Sequence, residues 1–234
     1  RTQVSFAGVA QPQWLCPSHP ANQQLEIDSL VELARKYDVD GIHFDYIRYP
    51  GSEYCFCAGC RARFEQQLGR PVAHWPKDVG SGGRDLDAWL EFRRQNITKV
   101  VAGVHDGARK ARPGIQVSAA VFRSWPHDRD KVGQDWKLWC DRGYLDFVCP
   151  MDYTPHNDSF RNMAAQQLAW TGNVPCYPGI GQSTWPDRLD AVKLIEQISI
   201  TRELGTGGFT VFNYGTAEYA DLLPLCGMGI TRKP

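Results

Sequence analysis

The feature that most constrains the fold is an alternation of short apolar segments with longer amphipathic segments after residue 20. Apolar residues recurring every three or four positions predict helices, and short apolar runs predict buried strands. The predicted strands cover 39–46, 115–122, 145–151, 174–180 and 208–214, and the predicted helices cover 21–37, 85–112, 134–142, 161–171 and 188–204. Strands that are apolar on both faces and joined by helices indicate an α/β fold with a parallel sheet.

Polar and aromatic residues follow these strands, with Asp45 after the first and Asp152 after the third. Function at the carboxyl end of every strand is typical of a (β/α)₈ TIM barrel, whereas a doubly wound sheet often carries a glycine-rich phosphate loop, which this sequence lacks. A full barrel has eight strands and about 250 residues. We therefore predict that residues 1–234 form a single catalytic-type barrel domain that is incomplete, lacking its first two or three strand–helix units.

Two further predictions concern the ends of the chain. Residues 2–9 are predicted as a strand or half of a small hairpin, and residues 221–225 as a short helix. An open parallel sheet edge exposes unpaired backbone groups. The missing barrel units are therefore expected on the same natural polypeptide or on another chain.

The composition excludes several classes of protein. The chain has 26 Lys and Arg against 26 Asp and Glu, and 42% of its residues are hydrophobic, so neither a disordered chain nor a nucleic-acid scaffold is expected. No apolar run is long enough to span a membrane. No signal peptide is visible, because the chain opens with RTQVSFAGVA.

The strand ending DGIHFDYIRYP, residues 40–50, carries the first candidate site. Alternate residues of a strand share a face, so His43, Asp45 and Ile47 are predicted to point one way. A carboxylate at the tip of an apolar strand needs a task or a partner, because burying it is costly. The alternative to a catalytic role is a structural pair of Asp45 with Arg48 or with His43.

The strand ending DFVCPMDY, residues 146–153, carries the second candidate, Asp152. Two carboxylates at neighbouring strand tips fit the acid pair of glycoside hydrolysis. Four aromatic residues of the loops are predicted platforms for sugar rings: Trp125, Tyr153, Trp185 and Tyr214. Ordinary packing is an equally good explanation for any one of these rings.

Cys55, Cys57 and Cys60 lie close together in a C-x-C-x-x-C pattern. This spacing suits three thiolate ligands of a structural zinc, with His74, Glu53 or another cysteine as the fourth ligand. A disulfide or free thiols are the alternatives. A catalytic zinc is not expected, because the sequence has no H-E-x-x-H motif.

The run DGIHFDYIRYP, preceded by WLCPSHPANQQLEIDSLVELARKYDV and followed later by GQDWKLWCDRGYLDFVCPMDYT, resembles the glycosyl hydrolase-like 10 family over residues 14–215. The resemblance implies a (β/α)₈ barrel acting on glycans, with strands four to eight present and strands one to three absent. It places Asp45 at the acidic position of strand four, flanked by His43 and Arg48. Asp152 stands where many relatives have Gln. Family 18 chitinases carry a Glu where this chain has Ile47, so substrate-assisted catalysis of the chitinase type is not expected.

The sequence thus predicts a two-carboxylate glycoside hydrolase that acts on a polysaccharide or oligosaccharide, secreted or in a bacterial cell envelope. Asp45 is the predicted nucleophile or electrostatic stabiliser, Asp152 the general acid and Glu53 a reserve acid. The residues predicted to hold the sugar are His43, Tyr46, Arg48, Trp125, Tyr153, Trp185, Asn213 and Tyr214. No cofactor is expected for catalysis. The alternatives are a non-catalytic carbohydrate-binding barrel fragment and a metal-dependent hydrolase of another substrate.

Overall fold

The computed structural model describes residues 2–181, 190–213, 215, 220 and 222–231. The strands are β1 (Thr2–Val4), β2 (Ala10–Leu15), β3 (Gly41–Phe44), β4 (Gln116–Val121), β5 (Phe147–Pro150), β6 (Gly179–Gly181) and β7 (Thr210–Phe212). The helices are α1 (Pro20–Lys36), α2 (Ala58–Leu68), α3 (Leu86–Ala111), α4 (Trp125–Lys131), α5 (Trp136–Asp141), α6 (Asn157–Thr171), α7 (Ala191–Glu203) and α8 (Leu223–Met228). Two predicted sugar platforms, Trp185 and Tyr214, lie outside the described residues.

The predicted alternation of strands and helices is confirmed, with each strand shorter than predicted. The amino-terminal segment forms an antiparallel hairpin of β1 and β2. Helix α2 was not predicted, because it buries only Cys60 and Phe64 and so has little apolar periodicity. Helix α4 was also missed, since it is one of the shorter helices and begins at Trp125-Pro126.

Five parallel strands form the centre of the fold. Strands β3, β4 and β5 pair in that order, with Phe44 opposite Ala119 and Ala119 opposite Val148. A parallel bridge from Val148 to Cys176 brings the segment before β6 beside β5, and β6 pairs with β7. This in-register pairing gathers the carboxyl ends of the strands at one edge, which is where a barrel enzyme carries its site.

Helices α1 and α3 cover one face of the sheet. Ile42 and Phe44 of β3 are buried, and α3 buries Trp89, Val100 and Val104 at helical spacing. These residues belong to the larger hydrophobic core, and a smaller core surrounds α7. Within the described part of the chain, no helix combines the length and apolar character needed to cross a membrane.

A buried arginine joins the loop after β3 to the carboxyl end of α4. Arg93 of α3 is 1% exposed, and its guanidinium donates to the carbonyl oxygens of Asp130 (2.8 Å), Gly51 (2.7 Å) and Lys131 (3.1 Å). The guanidinium also lies 4.3 Å from the ring centre of buried Tyr49. The segment that leaves β3 is therefore held at Tyr49 and Gly51 by hydrogen bonds and a cation–π contact.

The packing of α1 against α3 depends on a glycine. A Cβ atom placed on Gly107 would lie 2.5 Å from Cγ2 of Val31, closer than real carbon atoms approach. Valine has a stiff χ1 angle and so gives way poorly. The backbones of the two helices approach closely at this point because position 107 has no side chain.

We expect Gly107→Val to lower the free energy of unfolding by about 1–3 kcal/mol, because the added side chain forces the helices apart. Lys99→Val is the matched control, since it puts the same side chain on an exposed position of α3 and costs only about 0.7 kcal/mol or less in helix propensity. Urea denaturation followed by circular dichroism measures both. Equal losses for the two variants would contradict the close-packing argument.

Candidate functional site

A cavity of about 340 Å³ opens at the carboxyl end of β3. Its walls come mainly from β2, α1, α3, the end of β3 and the segment that follows β3. Its chemistry-bearing residues are Trp14, Glu26, His43, Asp45, Tyr46 and Arg48. Four of these residues were predicted from the strand motif. The cavity therefore combines a carboxylate, a guanidinium, an imidazole and aromatic rings at the edge where the sheet topology predicts a site.

Asp45 is an exposed carboxylate in this cavity. Its Oδ1 accepts a hydrogen bond from the backbone N–H of Tyr46 at 2.8 Å. Tyr46 has a φ of 54°, in the left-handed region, and the residue is 62% exposed. The carboxylate is thus oriented by the backbone of the next residue and remains open to solvent.

Arg48 is held by three aromatic rings. Its guanidinium carbon lies 4.7 Å from the ring centres of Tyr46 and Phe122, and 5.5 Å from that of Trp14. Burial lowers the pKa of Arg48 from its ordinary value. Among the described residues, no ion pair joins Asp45 to Arg48, although the charge of Asp45 raises the pKa of Arg48. The guanidinium is held by the aromatic contacts and by a hydrogen bond to the carbonyl of Tyr49 at 3.4 Å.

His43 lies on the strand face that points into the site. Its Nδ1 is 2.8 Å from Oγ of Ser118, the residue opposite it on β4. Burial lowers the pKa of His43, and the charge of Asp45 offsets part of that effect. At neutral pH His43 is therefore an uncharged hydrogen-bonding group held by Ser118, not a charged partner of Asp45.

Asp152 is completely buried after β5. Its Oδ1 accepts a 2.6 Å hydrogen bond from Nε2 of Gln167 on α6, and its Oδ2 has no hydrogen-bond partner. Burial raises the pKa of Asp152 to about 8, against the lowering effects of Gln167 and of the positive charge of Arg123. Strand β5 ends at Pro150, and the N–H of Asp152 donates to the carbonyl of Pro150 at 3.1 Å, so the alternation of faces predicted from the sequence does not extend to Asp152. The hydrogen bond from Gln167 places its carboxyl against helix α6.

Tyr153 is electrostatically coupled to both predicted acids. Burial raises the pKa of its phenol, and the negative charges of Asp45 and Asp152 raise it further. The ring stacks on Phe212 of β7 with centroids 5.4 Å apart. Tyr153 therefore connects the ends of β5 and β7 to the neighbourhood of Asp45.

Three other predicted residues do not line the cavity. Glu53 is exposed, and its carboxylate folds back against Gly51. Trp125 donates from Nε1 to Oδ1 of Asp135 at 2.6 Å. Asn213 is exposed directly after β7. Their predicted roles therefore depend on parts of the site outside this cavity.

The three cysteines of the C-x-C-x-x-C motif meet a fourth cysteine, Cys16. The four sulfur atoms all lie within 4.8 Å of one another. His74, proposed from the sequence as the fourth ligand, is instead 77% exposed in its side chain and is paired with Asp78. Glu53 is likewise not in the cluster, so "another cysteine" is the alternative that the geometry favours.

Sequence reasoning missed Trp14, Ser118 and Gln167. Each contacts a predicted residue across a large sequence separation: Trp14 lies over Arg48, Ser118 meets His43, and Gln167 binds Asp152. Strand parity signals which face a residue occupies, but the partner on a neighbouring element becomes visible only when strand register is known. Ser118 was the easiest of the three to predict, since it lies within a predicted strand.

The comparisons with known proteins identify the family of the chain. The family model described as Glycosyl hydrolase-like 10 matches residues 1–176. The chain belongs to the Glycosyl hydrolase-like 10 family, which confirms the resemblance read from the strand motifs.

Curated relatives carry glycosyl hydrolase names. The chain is 24% identical over 219 residues to Glycosyl hydrolase YngK of Bacillus subtilis (strain 168), covering 80% of this chain and 39% of that protein. It is 25% identical over 162 residues to Glycosyl hydrolase DigH of Escherichia coli (strain K12), and the match covers 62% of this chain and 33% of that protein. The chain therefore spans well under half the length of these relatives.

Solved structures show the same fold. The glycoside hydrolase domain of PgaB (BpsB) from Bordetella bronchiseptica superposes with a TM-score of 0.71 at 16% identity, covering 88% of this chain and 61% of that one. A β-galactosidase from Bacillus circulans sp. alkalophilus superposes with a TM-score of 0.68 at 13% identity, and the match covers 92% of this chain and 38% of that one. These neighbours are TIM-barrel glycoside hydrolases, so the predicted α/β class is confirmed.

The buried carboxyl of Asp152 predicts a dependence of stability on pH. Its pKa rises from 3.8 to about 8 on folding, so the folded state binds the proton more tightly. This contribution to stability is complete below pH 4, declines as pH rises towards 8 and is lost above that. We expect Asp152→Asn to flatten the decline between pH 4 and pH 8, as measured by urea denaturation at several pH values.

The control is Asp40→Asn, an exposed aspartate at the other end of β3. The pH profile of Asp152→Asn is compared with that of this variant, which makes the same chemical change at an exposed position. If the unfolding free energy of Asp152→Asn changed with pH as steeply as that of the wild type, the carboxyl of Asp152 would be shown to ionise normally in the folded chain.

Proposed function

We propose that this chain is the site-bearing part of a barrel glycoside hydrolase that cleaves glycosidic bonds of a polysaccharide or oligosaccharide. The observation that carries the proposal is the exposed carboxylate of Asp45 at the carboxyl end of a parallel strand, inside a cavity with aromatic walls. Membership of the Glycosyl hydrolase-like 10 family supports the reaction class.

The cavity has the groups that a sugar ring requires. Trp14 and Tyr46 have centroids 5.9 Å apart and offer apolar ring faces, and Arg48 and neutral His43 offer hydrogen-bond donors to hydroxyl groups. In this proposal Asp45 attacks or electrostatically stabilises the anomeric carbon as positive charge develops there. Tyr153, coupled to Asp45, helps to orient the sugar.

The general acid of the proposed mechanism is Asp152. Its raised pKa of about 8 keeps the carboxyl protonated at neutral pH, which is the state that a general acid needs. Its Oδ2, which has no hydrogen-bond partner in the structure, is the oxygen that would protonate the leaving group in this proposal. Glu53, which is exposed, remains the reserve acid of the proposal.

Two wider features belong to the same proposal. Strands β3 to β7 correspond to barrel strands four to eight, a correspondence supported by their parallel order. The first three strand–helix units would be supplied by the same natural polypeptide. A secreted or cell-envelope location is supported by a 32% identical match over 134 residues to an S-layer-related protein of Niallia circulans.

A second candidate function is carbohydrate binding without hydrolysis. The burial of Asp152 against Gln167 favours it, because a catalytic pair needs both carboxyl groups at the substrate. The cavity walls would then bind a glycan through Trp14, Tyr46 and Arg48 with no turnover.

We expect Asp45→Asn to lower kcat for glycan hydrolysis by about 10³-fold or more, because the carboxylate that meets the anomeric carbon loses its charge. The measurement is release of reducing ends from cell-wall glycans and other polysaccharides, with all flanking segments of the natural polypeptide retained. Asp40→Asn is the matched control, since it makes the same change at the amino end of the same strand. Near wild-type activity in Asp45→Asn would overturn the assignment.

Titration calorimetry with the same glycans separates the two functions. Heat of binding together with product release supports the hydrolase. Binding by the wild type with no product, and the same affinity in Asp152→Asn, supports the binding module instead.

A further inference from the structure

Four cysteine sulfurs form a compact cluster beside the candidate site. Cys16 Sγ lies 3.3 Å from Cys60 Sγ and 3.8 Å from Cys57 Sγ, and all four sulfurs are within 4.8 Å of one another. Zinc–thiolate bonds of about 2.3 Å in a tetrahedron place neighbouring sulfurs about 3.8 Å apart. The cluster therefore already has the size of a four-thiolate zinc site.

Hydrogen-bond donors surround these sulfurs. The backbone N–H of Val4 donates to Cys55 Sγ at 3.3 Å, and that of Cys60 donates to Cys57 Sγ at 3.4 Å. Arg63 Nη2 lies 3.7 Å from Cys16 Sγ. Donors of this kind stabilise the negative charge of metal-bound thiolates.

Ser18 adds a further donor. Its Oγ accepts hydrogen bonds from Nε and Nη2 of Arg63 at 3.1 and 2.9 Å. The hydroxyl proton is then directed to a sulfur, either Cys60 Sγ at 3.0 Å or Cys16 Sγ at 3.4 Å. The positive charge of Arg63 and the serine proton both compensate thiolate charge, and neither is needed by neutral thiols.

The alternatives from the sequence fit the cluster less well. A disulfide brings two sulfurs to about 2.05 Å and leaves the other two unpaired, whereas Cys16 is in reach of both Cys57 and Cys60. Cys16, Cys55 and Cys60 are buried and Cys57 is half-buried, so the cluster is closed except on one side. That side gives an ion or a chelator access.

The geometry points to a structural zinc site with Cys16, Cys55, Cys57 and Cys60 as its four ligands. It lies outside the proposed hydrolytic chemistry, because four protein ligands leave no open position for a substrate. It joins the end of β2 to the start of α2, whose cap is Cys57. Trp14, two residues before Cys16, is thereby fixed as a wall of the Asp45 cavity.

The first test is the metal content of the protein purified from cells grown with zinc. Elemental analysis should give one zinc per chain. Replacement by cobalt should give the visible absorption of a tetrahedral cobalt tetrathiolate together with sulfur-to-cobalt charge transfer. Iron in place of zinc, or less than a tenth of an equivalent of any metal together with a disulfide in the mass spectrum, would overturn the assignment.

The second test separates ligands from ordinary buried cysteines. Cys16→Ser should weaken zinc binding by at least about tenfold and lower the melting temperature. Cys140→Ser, the same change at a buried cysteine outside the cluster, should keep one zinc per chain. Cys16→His, which offers a nitrogen ligand, should retain zinc and so remains informative if the serine variant fails to fold. A full equivalent of tightly bound zinc in Cys16→Ser would remove Cys16 from the ligand set.

Discussion

The buried guanidinium of Arg93 is the interaction on which the site depends. It binds one backbone carbonyl from the loop after β3 and two from the end of α4, and packs on Tyr49, which itself donates from its N–H to the carbonyl of Val132 at 2.9 Å. The anchored segment runs from Asp45 at the strand tip to Cys55 at the cluster. One buried charge therefore anchors the segment between the acid on one side and the cysteine cluster on the other, and leaving those carbonyls unpaired would be costly.

The fold was largely predictable because its signals are local. Apolar periodicity located α1, α3 and the five parallel strands, and the strand-tip position of Asp45 followed from the boundary between an apolar run and a polar loop. Helix α2 was not predictable in the same way, since a helix that buries two side chains leaves little pattern. The lengths of the strands were overestimated because the hydrogen-bonded pairing between strands ends before the apolar run of each strand does.

The site was predictable only in part, because parity assigns residues to a face without saying what covers that face. Asp152 was grouped with Val148, but it lies beyond the end of β5, and Gln167 of α6 rather than a sugar-sized space meets its Oδ1. Cys16 and Trp14 come from a hairpin far from the motifs they join. Contacts of this range depend on the folded arrangement, which no spacing rule in one sequence encodes.

Tyr46 adopts a left-handed backbone conformation that a side chain with a Cβ atom takes up at a cost of about 1–2 kcal/mol. A glycine there would relieve this cost and remove the ring that contacts Arg48 and Trp14. A design that optimises thermostability alone would choose that glycine. Retention of the aromatic residue only in a library that is also selected for function would thus mark selection acting on ligand contact rather than on folding.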